Sequence, residues 1–159
     1  MQPANTIRVA RLCWLLVIAM APAACSGAAE YEAEARRKAI EAQNVTPQNY
    51  KADIVAFMRT YLNNPENVRG AAVSEPRRLT IEGTERYAAC LRYDARNSAG
   101  RYVGLRDHLA IFVSGKFDRL IEVGRTGADA QAAERLRPLR EYCATAAYQS
   151  FPEIEQLRR

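Results

Sequence analysis

The side chain with the clearest capacity for acid–base chemistry is His108, the single histidine among the 159 residues. Asp107 precedes it directly, and Asp94 lies at the end of an earlier predicted strand. A histidine that acts as a general base needs a carboxylate to orient it and a nucleophile to activate. No Gly-x-Ser-x-Gly elbow or comparable motif supplies that nucleophile. We therefore expect His108 to be a strand residue without a catalytic role. The alternative is a hydrolase site formed by His108, Asp107 and Asp94.

The cysteines form a second chemical set, of which Cys90 and Cys143 lie in the body of the chain. No Cys-x-x-Cys spacing accompanies them, so a zinc site is poorly supported and we expect neither a metal nor a cofactor. In an oxidising compartment, two such cysteines pair as a structural disulfide. The alternative is two unrelated buried thiols. The sequence therefore predicts one disulfide between Cys90 and Cys143.

A polar connection over residues 94–105 is the most distinctive stretch of the chain, with two glycines and a central tyrosine. Gly100 and Gly104 can adopt positive φ angles, and the Asn97 side chain can hydrogen-bond its own backbone. Exposed loops often carry function, which makes this loop a candidate binding site. The alternative is that these residues only build the turn. The candidate binding residues are Asn97, Gly100, Arg101, Tyr102 and Gly104.

Three segments of the chain together resemble a known pattern. They are residues 62–68 (Leu-Asn-Asn-Pro-Glu-Asn-Val), 93–97 (Tyr-Asp-Ala-Arg-Asn) and 100–104 (Gly-Arg-Tyr-Val-Gly). Their order is similar to a helix-LxDPxSV-strand-NAKNxxGxYxG pattern found in small exported proteins and lipoproteins of proteobacteria. The chain departs from it at Asn64, Asn67 and Asp94, where Asp, Ser and Asn are usual. The resemblance extends over residues 50–118 and implies a fold and a location, but no reaction.

The first 24 residues have the features of an export signal. Arg8 and Arg11 precede an uninterrupted apolar run over residues 12–20, and small residues follow it. That run is far shorter than the roughly 20 residues that a membrane-spanning helix needs. We therefore predict that residues 1–24 are a signal peptide.

Cys25 follows two alanines and precedes Ser26 and Gly27, a setting that resembles a bacterial lipobox. In a lipobox the cysteine is diacylated on sulfur and becomes the mature N-terminus. Ordinary signal-peptidase cleavage after Ala23 or Ala28 is the alternative. We expect lipidation, because it gives every cysteine a role. Since Ser26 is not the aspartate associated with inner-membrane retention, the predicted location is the periplasmic face of the outer membrane. Without the lipid, the protein would be soluble in the periplasm.

Two further regions follow the signal. Residues 25–45 are rich in Ala, Glu and Arg with few large apolar side chains, which is typical of a helical or flexible tether. Residues 46–159 are predicted to form one compact domain. Thr46 and Pro47 predict a helix start, and apolar side chains recur every three or four positions from Tyr50 to Leu62.

The period then changes to two, which predicts strands. The predicted strands are residues 68–74, 87–94, 106–113 and 116–123. A tight turn at Ser114 and Gly115 joins the last two as a hairpin. A final helix, interrupted or restarted at Pro138, would place Cys143 against the strand that holds Cys90. The predicted fold is α+β, a single small domain with an antiparallel sheet of three to four strands, helices on one face (α-β-β-β-β-α) and one disulfide.

Charge and composition narrow the function class. The chain has 23 basic and 18 acidic residues, a net charge of +5. Removal of Arg8 and Arg11 with the signal leaves 21 basic residues and a net charge of +3, so we expect no nucleic-acid partner. The sequence favours a non-catalytic cell-envelope protein, a binding or structural module. Its expected partners are the membrane, through the lipid on Cys25, and an envelope protein. The alternatives are an inhibitor or accessory subunit of an envelope enzyme and a small periplasmic hydrolase centred on His108.

Overall fold

The computed structural model describes residues 24–124 and 130–158. The elements in chain order are α1 (Ala24–Ala42), α2 (Tyr50–Tyr61), β1 (Arg69–Ser74), β2 (Arg77–Ile81), β3 (Thr84–Asp94), β4 (Arg106–Val113), β5 (Lys116–Glu122), α3 (Ala130–Ala144), β6 (Tyr148–Ser150) and α4 (Pro152–Glu155). The chain separates into two compact units, with the boundary between Ala39 and Ile40. The predicted signal peptide up to residue 23 and the side chain of Cys25 lie outside the described residues.

The first unit contains most of α1. Its side chains from residue 27 to residue 39 are solvent-exposed. Lys38 contacts Glu34 one turn earlier at 2.8 Å, an ion pair of the i,i+4 kind that supports a helix by a few tenths of a kcal/mol. Helix α1 covers most of the segment predicted as a tether, residues 25–45, and ends at Ala42.

The second unit is built on one antiparallel sheet. Within the described ranges its strand order is β5-β4-β3-β1-β6, and β2 also pairs with β3. Strands β1 and β2 follow each other along the same edge of β3, separated by Glu75 and Pro76. Pro76 has no N–H to donate to a strand ladder. At this gap the Ser74 hydroxyl accepts the N–H of Cys90 at 2.9 Å.

The α+β class, the single small domain and its antiparallel sheet are confirmed, but the sheet has six strands over the described residues instead of three to four. The additional strands are β2 and β6. In β2 only Leu79 and Ile81 pack against a core, and an alternation of two apolar residues is too short to indicate a strand. Strand β6 has three residues, too few to show a period.

The structure also corrects the expectation of helices on one face, because helices pack on both. Side chains of β3 alternate, with Leu91 on one face and Cys90 on the other. Helices α2 and α4 cover the Leu91 face, and α3 covers the Cys90 face. The centre of the first core contains Ile54, Met58, Val73, Leu91, Phe112, Phe151 and Ile154. The centre of the second contains Ala88, Cys90, Leu109, Ile111, Val123 and Cys143. Both faces of β3 and β4 are thus apolar, and each needs a cover.

The predicted disulfide between Cys90 and Cys143 is confirmed. The two Cα atoms are 5.5 Å apart, and 53 residues separate the cysteines in the chain. Both side chains are fully buried. The bond joins β3 to α3 and therefore holds the helix on the second face of the sheet.

Two predicted helix features differ in the structure. Helix α2 begins at Tyr50, and the Thr46 hydroxyl donates to the Tyr87 hydroxyl at 3.0 Å instead of capping a helix. Helix α3 continues through Pro138 without a break. The Arg140 guanidinium donates to the Val123 carbonyl at 2.9 Å, which ties this part of α3 to the residue that follows β5.

The C-terminal segment after α3 contributes buried side chains to the first core. Phe151, Ile154 and Leu157 are buried in the first core. The Glu155 carboxylate accepts the N–H of Ala71 at 2.8 Å. Strand β6 thus forms an edge of the sheet, and α4 packs on the same face of the sheet as α2.

Candidate functional site

The β3–β4 loop, residues 95–105, contains all five candidate binding residues and is organised by Asn97. The Asn97 N–H donates to the Arg101 carbonyl at 2.9 Å. The Asn97 side-chain oxygen accepts the N–H groups of Ala99 at 3.0 Å and Arg101 at 3.1 Å. An isolated bridge pairs Arg96 with Tyr102. The predicted role of Asn97 in its own turn is therefore confirmed.

Tyr102 and Asp94 fix the base of the loop. The Tyr102 hydroxyl donates to the Asn67 carbonyl at 2.7 Å, and the Arg69 guanidinium lies 3.3 Å from the centre of the Tyr102 ring. The Asp94 carboxylate accepts a bond from Arg69 and one from the Gly104 N–H, both at 3.0 Å. These contacts join the loop to Asn67 before β1 and to Arg69, the first residue of β1, and they hold the base of the loop.

The apolar side chains of this region point outward. Val103 is 44% exposed, Leu105 61% and Tyr61, at the end of α2, 48%. These are three of the five large apolar side chains that are exposed among the described residues, and Tyr61 and Val103 line the same groove. Leu105 also packs across the backbone of Gly70, where a Cβ would lie 2.9 Å from Leu105 Cδ2. A concentration of exposed apolar surface on an ordered loop is typical of a contact site.

A groove of about 450 Å³ lies between the β3–β4 loop, the end of α2 and the adjoining ends of β3, β4 and β5. Its apolar and aromatic wall includes Tyr61, Leu62, Tyr93 and Val103. Its ionisable groups include Arg96, Arg106, His108 and Glu122. The sequence-predicted loop residue Asn97 lines the same groove, whereas Arg101 and Tyr102 are not part of its wall. The structure thus brings His108 and part of the loop to one place.

His108 is buried in the floor of this groove. Its ring stacks on Tyr93, with centroids 4.5 Å apart, and its Nε2 lies 3.2 Å from the Tyr93 hydroxyl. Its Nδ1 lies 3.3 Å from the Arg106 carbonyl. Burial lowers the pKa of His108, and the nearby Glu122 carboxylate opposes that effect only partly. Burial also raises the pKa of Tyr93. Each ring nitrogen of His108 thus lies within hydrogen-bond distance of a polar atom, the Tyr93 hydroxyl or the Arg106 carbonyl.

The groove does not assemble the predicted hydrolase centre. Asp107 lies on the opposite face of β4, since neighbouring strand residues point to opposite faces. Asp94 is bonded to Arg69 and Gly104 at the base of the loop. The carboxylate beside His108 is Glu122 instead, and it is bonded to Arg106 at 2.6 Å. Among the described residues, the groove lining includes no Ser, Thr or Cys side chain that could act as a nucleophile.

Asp107 organises a separate polar cluster on the α3 side of the sheet. Arg92 donates two bonds to its carboxylate, at 2.7 and 3.0 Å, and the Tyr148 hydroxyl donates a third at 2.9 Å. Burial raises the pKa of Asp107, but the bonds from Arg92 and Tyr148 together outweigh it and leave the pKa below its ordinary value. This cluster joins β3, β4 and β6, which is a structural role.

Arg96 differs from the other charged groups of the groove. Its guanidinium lies 5.0 Å from the centre of the Tyr102 ring, and its Nε is buried without a hydrogen-bond partner. Arg106, by contrast, is paired with Glu122. Arg96 therefore contributes a positive charge that no carboxylate of the described chain compensates.

Other parts of the described chain offer less chemistry. A groove of about 850 Å³ lies between α2 and α4, and one of about 610 Å³ lies beside the β4–β5 turn. No group of three or more His, Cys, Asp or Glu side chains within the described residues has an arrangement that could hold a metal ion. No helix in those residues is long and apolar enough to cross a membrane.

Comparison with protein-family models, with curated proteins and with solved structures finds no match for this chain. The similarity to exported proteobacterial proteins therefore stays a prediction.

Sequence reasoning missed most of the groove lining, including Tyr61, Arg96 and Glu122. Tyr61 was counted only within the apolar stripe of α2, although its position at the end of that stripe leaves it half-exposed. Arg96 lies in the same distinctive loop as Tyr102, and an arginine that shares a short loop with a tyrosine can form a cation–π contact. Glu122 lies opposite His108 in the β4–β5 pair, a position that the sequence alone does not reveal.

Proposed function

We propose that this protein is an exported, non-catalytic binding module of the bacterial cell envelope, tethered by a lipid on Cys25. In this proposal its contact surface is the β3–β4 loop together with the end of α2. The partner is a protein of the same compartment. An envelope enzyme that the module inhibits or assists would be one such partner.

The observation that carries the binding proposal is that the β3–β4 loop is braced internally while its apolar side chains remain outside. The bonds of Asn97, Tyr102 and Asp94 hold the loop backbone. Val103 and Leu105 are left exposed. A loop that is already ordered loses little conformational entropy when it binds, so its apolar area contributes more fully to affinity.

The disulfide supports the export part of the proposal. A buried disulfide between Cys90 and Cys143 suits an oxidising compartment such as the periplasm, where such bonds persist. Cys13 would leave with the signal, and Cys25 would carry the lipid. Every cysteine then has a role in an exported protein.

Site-specific photocrosslinking in the native host tests the contact surface. A benzoylphenylalanine placed at Val103 or at Leu105 should crosslink to one defined partner. The same probe at Val45, which is 52% exposed but lies beside the β4–β5 turn, is the matched control. The substitutions Val103→Asp and Leu105→Asp should abolish co-purification of that partner. Equal crosslinking from all three positions would refute the proposed surface.

Intact-mass analysis of the mature protein from membranes tests the anchor. The expected species begins at Cys25 and carries the mass of two or three acyl chains. A mature chain that begins at Ala24 or Ala29 without lipid would refute the anchor and leave the contact surface to be judged by the crosslinking.

A further inference from the structure

We propose that the groove beside the β3–β4 loop binds an acidic peptide segment, with Arg96 holding a carboxylate and the rim at Tyr61 and Val103 holding a neighbouring apolar side chain. This inference rests on the proposed binding function and specifies the chemistry of the partner.

The net charge of the groove favours an anionic ligand. Its lining contains two arginines and one glutamate. Arg106 and Glu122 compensate each other through their 2.6 Å contact. Since burial lowers the pKa of His108, the imidazole adds no charge at neutral pH. The uncompensated charge of the groove is therefore the single positive charge of Arg96, which favours an anionic ligand.

Arg96 has hydrogen-bond donors that suit a carboxylate. Its Nε is buried without a partner. Because that atom is shielded, a ligand would meet the outer Nη groups of the half-buried guanidinium, for which the described residues provide no carboxylate partner. The guanidinium presents a planar set of donors that matches a carboxylate in two parallel bonds. The ring of Tyr102 lies beside the guanidinium and limits its movement.

The apolar wall of the groove favours a peptide over a small inorganic anion. Tyr61, Leu62 and Val103 line the groove together with Arg96. Tyr61 and Val103 are about half-exposed. An inorganic anion would leave these side chains in water, whereas an apolar side chain next to the carboxylate would cover them. A peptide that pairs the two groups uses both parts of the groove.

Titration of the ¹⁵N-labelled protein with short peptides, followed by heteronuclear NMR, tests this inference. The probe is acetyl-Ala-Leu-Glu-Ala-amide, and its comparisons are the peptides with Gln in place of Glu and with Ser in place of Leu. We expect the Leu-Glu peptide to bind at least about fivefold more tightly than either comparison, because it alone makes the charge-assisted bonds and covers the rim. The amide signals of Arg96, Val103 and His108 should shift together.

Substitutions at two arginines of the same loop separate a specific contact from general charge. Arg96→Gln should remove the preference for Glu over Gln, while Arg101→Gln should preserve it, because the Arg101 side chain is exposed and outside the groove lining. Arg96→Glu should reverse the preference toward a Leu-Lys peptide, a result that loss of folding cannot produce.

Four outcomes would overturn the inference: equal binding of the Glu and Gln peptides, no binding of any peptide, the same shifts with inorganic phosphate, or equal effects of the two Arg→Gln substitutions. If a partner still crosslinks at Val103 and its binding is unchanged by Arg96→Gln, the inference of an acidic peptide ligand is refuted while the proposed contact surface is supported.

Discussion

Removal of the Cys90–Cys143 disulfide should destabilise the domain severely. The bond closes a loop of 53 residues. The chain-entropy relation for a loop of this length gives a stabilisation of about 4 kcal/mol at 25 °C. Small domains have a total stability of about 5–15 kcal/mol, so this single bond contributes a large share. We expect the double variant Cys90→Ala, Cys143→Ala to lose about 4 kcal/mol and to melt roughly 15 °C lower.

Equilibrium unfolding in urea, followed by circular dichroism, measures this loss. The oxidised protein, the protein under a reductant and the double variant should be compared at the same pH. The reduced protein and the double variant should agree within about 1 kcal/mol, since both lack the bond and keep only small side chains in the second core. Cys25→Ser is the matched control and should leave the unfolding free energy unchanged.

A loss below about 1 kcal/mol in the double variant would refute the reasoning, because the loop-closure effect would then be absent. Agreement between the double variant and the untreated protein would also contradict the pairing itself. A stability loss in Cys25→Ser equal to that of the double variant would show that the pairing involves Cys25 instead.

Two further predictions concern titratable groups. Because burial lowers the pKa of His108 in the folded state, the stability that the neutral imidazole contributes is fully present above pH 6.5. The free energy of unfolding should fall as the pH drops from 6.5 toward the lowered pKa, by up to about 1.4 kcal/mol per pH unit. His108→Gln should flatten this slope in urea titrations, and an unchanged slope would contradict the prediction. Asp107→Asn should cost about 1–3 kcal/mol in thermal unfolding, because Arg92 and Tyr148 lose their charged acceptor, and a loss within error of zero would contradict the structural role of that cluster.

Local patterns predicted those parts of the fold that depend on neighbouring residues. The apolar stripe of α2 places Ile54 and Met58 in the core, as its spacing indicates. The turn at Ser114 and Gly115 has φ angles of 52° and 74°, the positive values that a tight two-residue hairpin requires. Each of these features is set by a few adjacent residues, which is why sequence reasoning could find them.

Contacts distant in sequence were the ones that sequence reasoning missed. Strand β2 pairs along the edge of β3 next to β1, and its own alternation, limited to Leu79 and Ile81, is too short to predict that pairing. The covered second face depends on where α3 lies, and the disulfide decides that position. The pairing of Cys90 with Cys143 places α3 on the Cys90 face, but it does not reveal that α2 and α4 pack on the opposite face.

The carboxylate beside His108 shows how one backbone irregularity changes a site. In a regular hairpin that turns at Ser114 and Gly115, Ile121 would lie opposite His108. A shift of register between Ile111 and Phe112 instead brings Glu122 opposite His108. A slip of one residue moves every following side chain to the other face of the strand. The ionic pair of Arg106 and Glu122 in the groove therefore depends on a bulge that no local sequence signal marks.

The loop residues that are most prominent in the sequence hold the loop together, whereas less prominent residues are available to contact a partner. Asn97 and Tyr102 are the most prominent candidates in the sequence, yet the Asn97 side-chain oxygen already accepts two loop N–H groups and the Tyr102 hydroxyl donates to the Asn67 carbonyl. Side chains whose bonding capacity is used internally have little to offer a partner without breaking those bonds. Arg96 and Val103 keep an unused donor and an uncovered apolar surface. Recognition should therefore depend on the less prominent residues, with the asparagine and the tyrosine holding them in place.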